Sequence, residues 1–172
     1  MKNLCLILLI ICGLTSCTTP KYFVASDADL LQIDWDRNML NYIPLMESDI
    51  ASSEILYKTY TLLNQQSYSK LNKYLSSLET DSPDYYLAKT FYHISKCEYE
   101  KGLSYLSELN YSFCPLEELL FIDLNYEIAK KNKAQDYKKI LRNYQSLIDS
   151  YPSNELLKKI VSLRVRYARY RY

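Results

Sequence analysis

The residues that could do covalent or metal chemistry are few. The 172-residue chain has one histidine and two glycines. Gly13 lies in the opening apolar run, so only Gly102 stands in the rest of the chain. A P-loop or a dinucleotide fingerprint needs several glycines, because backbone N–H groups must come close to phosphate. A single histidine, His93, cannot build the two-histidine zinc motif of a helix, and it leaves one candidate for any Ser-His or Cys-His pair. No G-x-S-x-G elbow occurs. Glu117 and Glu118 are paired carboxylates, but helical neighbours diverge by about 100° and cannot face one bond as acid and base. Acids at a helix start are explained by the helix dipole. The pattern points away from an enzyme, and no cofactor, metal or small-molecule substrate is expected.

Charge excludes another class. Lys and Arg total 21 against 20 Asp and Glu, which gives no global attraction to nucleic acid. At 48% hydrophobic the chain can build one core or a short repeat array. Its first residues read differently from the rest: a cationic start at Lys2, a mostly aliphatic run from Leu4 to Leu14, then Thr-Ser-Cys. That is the layout of a secretory leader, and it is shorter than the roughly 20 residues a spanning helix needs. "LTSC" at Leu14 to Cys17 resembles the bacterial lipobox, whose cysteine is diacylated, palmitate being a usual acyl group, and becomes the new N-terminus. The alternative is an ordinary leader with a chance cysteine. Each buried methylene contributes ~0.8 kcal/mol and one chain holds only marginally, so the two or three chains implied by the resemblance make Cys17 a membrane anchor. Residues 1–16 are then a signal peptide, 17–26 a lipidated tether and 27–172 the folded domain. By the same resemblance, Thr18 after the anchor implies the outer membrane of a bacterial envelope.

Beyond the tether, Ser26 with Asp29 forms an N-cap pattern, and Leu31, Trp35 and Met39 recur at helical spacing up to Pro44, which is read as the helix end. From Ser26 to Glu54 the acids are Asp27, Asp29, Asp34, Asp36, Glu47, Asp49 and Glu54 against Arg37 alone, so this end is acidic. The strongest pattern is internal. "KTYTLLNQQSYSKLNKYLSSLE" from Lys58 and "KTFYHISKCEYEKGLSYLSELN" from Lys89 align at an offset of 31, matching Tyr68 to Tyr99, Tyr74 to Tyr105, Leu75 to Leu106 and Leu78 to Leu109. A third copy carries Tyr137, Ile140, Tyr144 and Leu147. Pro83, Pro115 and Pro152 punctuate the units, each able to stop one helix and open the next. Recurrence at such a period predicts stacked helical hairpins.

These units resemble tetratricopeptide repeats, in which a small residue is followed by an aromatic and a proline. The resemblance implies an all-α, short α-hairpin solenoid of about three hairpins with a terminal capping helix. The match is degenerate: Leu71, Gly102 and Ile140 stand where the family has alanine, only Tyr144 keeps the later aromatic, and "KKNKAQ" stretches the third unit. Another α-hairpin repeat stays open as an alternative.

First helices place Leu56, Tyr60 and Leu63, then Leu87, Phe91 and Ile94, on one stripe that should bury. The opposite face carries Glu54, Lys58, Thr61 and Gln65, then Tyr85, Lys89, Tyr92 and Lys96, and is expected to be a partner-binding groove for an envelope protein or peptide segment, unless it is simply solvated. Cys97 and Cys114 are expected not to bridge, being placed at opposite ends of a helix whose termini stand ~20 Å apart, against a ~7 Å limit. At the chain end Leu156, Ile160 and Leu163 should pack as the cap, while Arg164, Arg166, Arg169 and Arg171, interleaved with tyrosines, form a basic tail. That tail could meet anionic headgroups or an acidic protein face, or only complement a helix C-terminus; nucleic acid fits an exported protein poorly. The function expected is a membrane-anchored interaction scaffold, with a surface-exposed lipoprotein binding host or environmental ligands as the alternative.

Overall fold

A computed structural model describes residues 42–109, 115–132 and 137–170. The leader, Cys17, the tether, the 26–41 stretch, Cys114 and Arg171 lie outside the described residues. Among the described residues are eight helices and no strand: α1 (Ile43–Ser52), α2 (Glu54–Asn64), α3 (Tyr68–Ser76), α4 (Pro83–Ser95), α5 (Tyr99–Leu106), α6 (Leu116–Lys131), α7 (Tyr137–Ser150) and α8 (Glu155–Tyr170). The chain is thus all-helical and repeat-like, with contacts running between α2 and α3, α4 and α5, and α6 and α7, and α8 against α7.

The repeat is preserved down to individual backbone bonds. At the α2 end Gln66 N–H donates to Leu63 O and Ser67 N–H to Leu62 O; at the α4 end Cys97 N–H donates to Ile94 O and Glu98 N–H to His93 O. Both are Schellman closures. Their C′ residues, Gln66 at φ 53 and Cys97 at φ 56, are left-handed although neither is glycine. The second helices end alike as well, with Leu78 N–H on Leu75 O and Leu109 N–H on Leu106 O. First-helix starts are capped by serine: Ser53 Oγ accepts from Leu56 N–H at 3.2 Å and Ser82 Oγ from Tyr85 N–H at 3.3 Å. Asn154 Oδ1 does the same for Leu157 N–H in α8 at 2.9 Å. Each cap satisfies one of the orphan donors of a helix start.

Burial follows the apolar stripes. Leu56 and Leu63 of α2, Leu87, Phe91 and Ile94 of α4, Leu71 and Leu75 of α3, and Leu106 and Leu109 at α5 all join one core, while Tyr60 packs half-buried against it. In the third hairpin Ile140, Tyr144 and Leu147 occupy the matching slots and are buried. Three expectations need correction. Pro44 does not end a helix; it lies in the first turn of α1, where its missing N–H costs nothing. The Cys97–Tyr99 region begins a short second helix, Tyr99–Leu106, rather than one reaching to Cys114. In α8 the packed stripe is Leu157, Ile160, Val161 and Leu163, whereas Leu156 is exposed.

The ends of the array also meet. Helix α8 touches α1, so the first and last described helices close on each other instead of standing apart as solenoid termini do.

Candidate functional site

Helices α2 and α4, with their C-caps, set the eight residues expected to line a groove, and they do not form one exposed stripe. Glu54, Lys58 and Gln65 are exposed, Thr61 is half-buried and its hydroxyl donates to Tyr57 O at 2.9 Å. Tyr85 is half-buried, Lys96 exposed. Lys89 and Tyr92, however, are only 8% and 7% exposed. The reason is that α4 contacts α2, α3 and α5 at once, so it has little free face. Lys89 and Tyr92 therefore support the surface from beneath.

What the sequence did not show is where the lysines go. Lys58 Nζ sits 4.2 Å from the centre of the Tyr74 ring, and Lys89 Nζ sits 5.9 Å from the Tyr105 ring and 5.5 Å from that of Tyr85. The first two pairs are one repeat apart in both members, so a first-helix ammonium rests over a second-helix tyrosine twice, a cation–π contact. Burial lowers the Lys89 pKa from its ordinary value, because a desolvated ammonium loses hydration. Lys96 Nζ lies 5.4 Å from the Tyr92 ring and 3.6 Å from a Glu98 oxygen. The signal that could have found the pairs was the shared offset of Lys58/Lys89 and Tyr74/Tyr105.

Beside this face the α4–α5 turn holds a histidine–carboxylate hydrogen bond. His93 Nδ1 lies 2.7 Å from Glu98 Oε2, and the imidazole stacks on Tyr105 at 5.2 Å with planes 9° apart. Burial lowers the His93 pKa, outweighing the raising effect of Glu98, while the same hydrogen bond lowers that of Glu98.

A concavity of about 600 Å³ lies between α5, α6 and α7. Its walls include the buried Leu106, Leu109, Ile122 and Leu147. Glu117 and Glu118 line it with Phe121, a large apolar side chain left 52% exposed. One oxygen of Glu117 is buried without a hydrogen-bond partner, and desolvation, then Glu118, raises its pKa. Glu118 accepts from Tyr151 Oη at 2.9 Å. Asn143, Ser146 and Ser150 of α7 form the polar side.

Of the basic tail, Arg164 must be withdrawn as a surface contact. It is 4% exposed, and its Nε donates to Asp123 Oδ2 at 2.7 Å with the guanidinium carbon 5.1 Å from the Tyr42 ring centre. Asp123 also accepts from Tyr42 Oη at 2.7 Å and from Tyr144 Oη at 2.5 Å. Burial, then the Asp123 charge, raises both tyrosine pKa values well above the ordinary one. This cluster joins the residue before α1 to α6, α7 and α8. Arg166 is exposed, and the Arg169 side chain lies outside the described ones.

Among the described residues no three His, Cys, Asp or Glu side chains gather to hold a metal ion, and no helix is long and apolar enough to cross a membrane. No protein-family model matches the chain, nor does any curated protein or any solved structure.

Proposed function

We propose that the chain is an envelope lipoprotein, held to the membrane through lipid on Cys17, whose helical domain is a non-enzymatic scaffold for another envelope protein or a peptide segment. Support for the anchor comes from the order of Lys2, the apolar run and "LTSC". The scaffold reading is carried by one observation: the helix-closing turn, the second helix that follows it and the lysine–tyrosine pair recur at a 31-residue offset, as from Lys58 to Lys89, and such repeated hairpins offer extended surfaces rather than one deep pocket. The partner would meet Glu54, Lys58, Thr61 and Gln65 directly, together with the exposed parts of Tyr85 and Lys96; Lys89 and Tyr92 hold that surface in place.

Two measurements test this. Membrane fractionation of cells expressing the wild type should recover the protein in a salt-resistant membrane fraction, and Cys17→Ser should release it; equal retention of both removes the lipid anchor. A photo-crosslinking side chain at position 58 in living cells should trap a discrete partner that the same probe at the exposed position 79 does not. Identical products at both positions would defeat the scaffold face. Protease treatment of intact cells then separates a periplasmic scaffold from a surface-exposed binder, since only the latter is shaved.

A further inference from the structure

The α5–α6–α7 concavity has acids on one side, an apolar interior and no lysine or arginine among its described lining residues. A carboxylate oxygen of Glu117 is buried there without a donor, and Phe121 stands half in solvent beside it. The chemistry that completes such a surface is a cationic segment bearing aromatic rings, since arginine supplies donors to the carboxylates and both arginine and tyrosine stack on a phenyl face.

The chain itself contains that segment. After Glu155 no acid occurs, and "VRYARYRY" from Val165 to Tyr172 alternates arginine with tyrosine. Within one molecule the described part of α8 leads away from the groove. The groove uses Asn143, Ser146 and Ser150, the C-terminal half of α7, and the short 151–154 connection leads straight into α8. At about 1.5 Å per helical residue, Arg166 lies ~17 Å along α8 from its start, so α8, packed back along α7, carries Arg166 toward the opposite end of the hairpin. Buried Arg164 and Val161 fix α8 in that direction.

We propose that the groove receives the basic, tyrosine-bearing C-terminal end of a second copy of this chain. Donor and acceptor surfaces differ, so the contact is heterologous and propagates head to tail rather than closing as a two-fold dimer. It is also electrostatic at its rim and weakens with salt. The inference does not depend on the lipid anchor or on the lysine–tyrosine face.

The test uses the full chain in detergent and a fluorescent peptide of residues 165–172. Anisotropy should show binding in moderate salt that weakens at least tenfold in the double variant Glu117→Gln, Glu118→Gln, where Gln still accepts from Tyr151. The control Glu47→Gln, Glu79→Gln removes the same charge from exposed positions and should stay within twofold of wild type, with all three proteins melting alike. Sedimentation of the full chain should show mass rising with concentration, and deletion of residues 166–172 should stop it. No peptide binding, equal weakening in the control, or unchanged binding in the double variant overturns the proposal. So does a peptide that binds phosphatidylglycerol vesicles but not the protein, which would assign the tail to the membrane.

Discussion

The α2–α5 half and the α6–α8 half solve the same packing problem with different chemistry. In the first, equivalent slots hold Leu75 and Leu106, both buried, and successive hairpins close through aliphatic contact and matched turns. In the second the slot holds Tyr144, whose hydroxyl needs a partner, and Asp123 supplies it. With Pro83 set on Pro115, Asp123 falls where α4 has Phe91, so a carboxylate replaces a core ring. An ionised carboxylate among apolar residues is costly unless paired, and Arg164 and Tyr42 complete the set. The core of the repeated half is closed by apolar area, which any neighbour of similar shape provides. The diverged half is held by a polar cluster that accepts one arrangement only, and that arrangement brings α8 onto α1.

The largest effect should come from breaking the cluster. Asp123→Ala leaves a buried guanidinium and two tyrosine hydroxyls without their acceptor, and removing one member of a buried ion pair costs about 3–5 kcal/mol. Urea unfolding of Asp123→Ala should show a loss of that order. Replacing both charges, Asp123→Leu with Arg164→Met, should lose less than the single change, because apolar replacement of a buried pair is often close to neutral. If the double variant is the worse of the two, the cluster contributes more than mutual compensation and the contrast between the halves is sharper than drawn. Tyr144→Phe comes next. It keeps the ring and deletes one hydrogen bond to a charged group, so about 1.5–3 kcal/mol should be lost. A loss within error of zero would make the two halves energetically alike.

These two sites also show what the sequence could and could not reveal. Hairpins in the first half were legible because the offset of 31 recurs in Lys-Thr-aromatic, in Tyr68 and Tyr99, and in the leucines, and recurrence fixes local structure and stacking together. Arg164 was not, since an arginine in an acid-free, arginine-rich stretch reads as a solvated tail; its partner is 41 positions away, and only the α6–α8 packing brings them together. Lys89 and Tyr92 were misplaced for a related reason. Periodicity identifies the apolar stripe of α4 but not how many neighbours cover the other sides, and three helices surround it. The α1 helix was missed because Pro44 signals a stop as well as a start. The concavity beside Phe121 had no sequence signal, being formed by three helices that no linear pattern joins.

A pH experiment separates the halves in another way. Burial lowers the folded His93 pKa, so the unfolded chain binds the proton more readily below about 6.5, its usual value. Stability from this group is present above that pH and is lost as pH falls toward the folded value. Depression of the Glu98 pKa acts with the same sign but lower, below about 4.5. Lys89 and Lys101 add to the lowering at His93. Thermal melts should therefore fall between pH 7 and 5.5, and His93→Gln should flatten that limb. A limb unchanged in His93→Gln would move the acid sensitivity away from the α4–α5 turn.

The smallest effect tests the repeat turn. Gln66 adopts φ 53, in the left-handed region, where a side chain costs roughly 1–2 kcal/mol relative to glycine. Against this, glycine adds unfolded-chain entropy worth about 0.5–1 kcal/mol. The two offset incompletely, so Gln66→Gly should stabilise by ~0.5–1 kcal/mol. Gln66 is exposed, and the Schellman bonds of the turn use its backbone and that of Ser67, so the substitution leaves those bonds in place and isolates the backbone cost. The expected readout is a melting temperature higher by a few degrees with an unchanged urea slope. A lower melting temperature would mean that the Gln66 side chain helps hold the first hairpin, and that the two halves differ less than their turns and cores suggest.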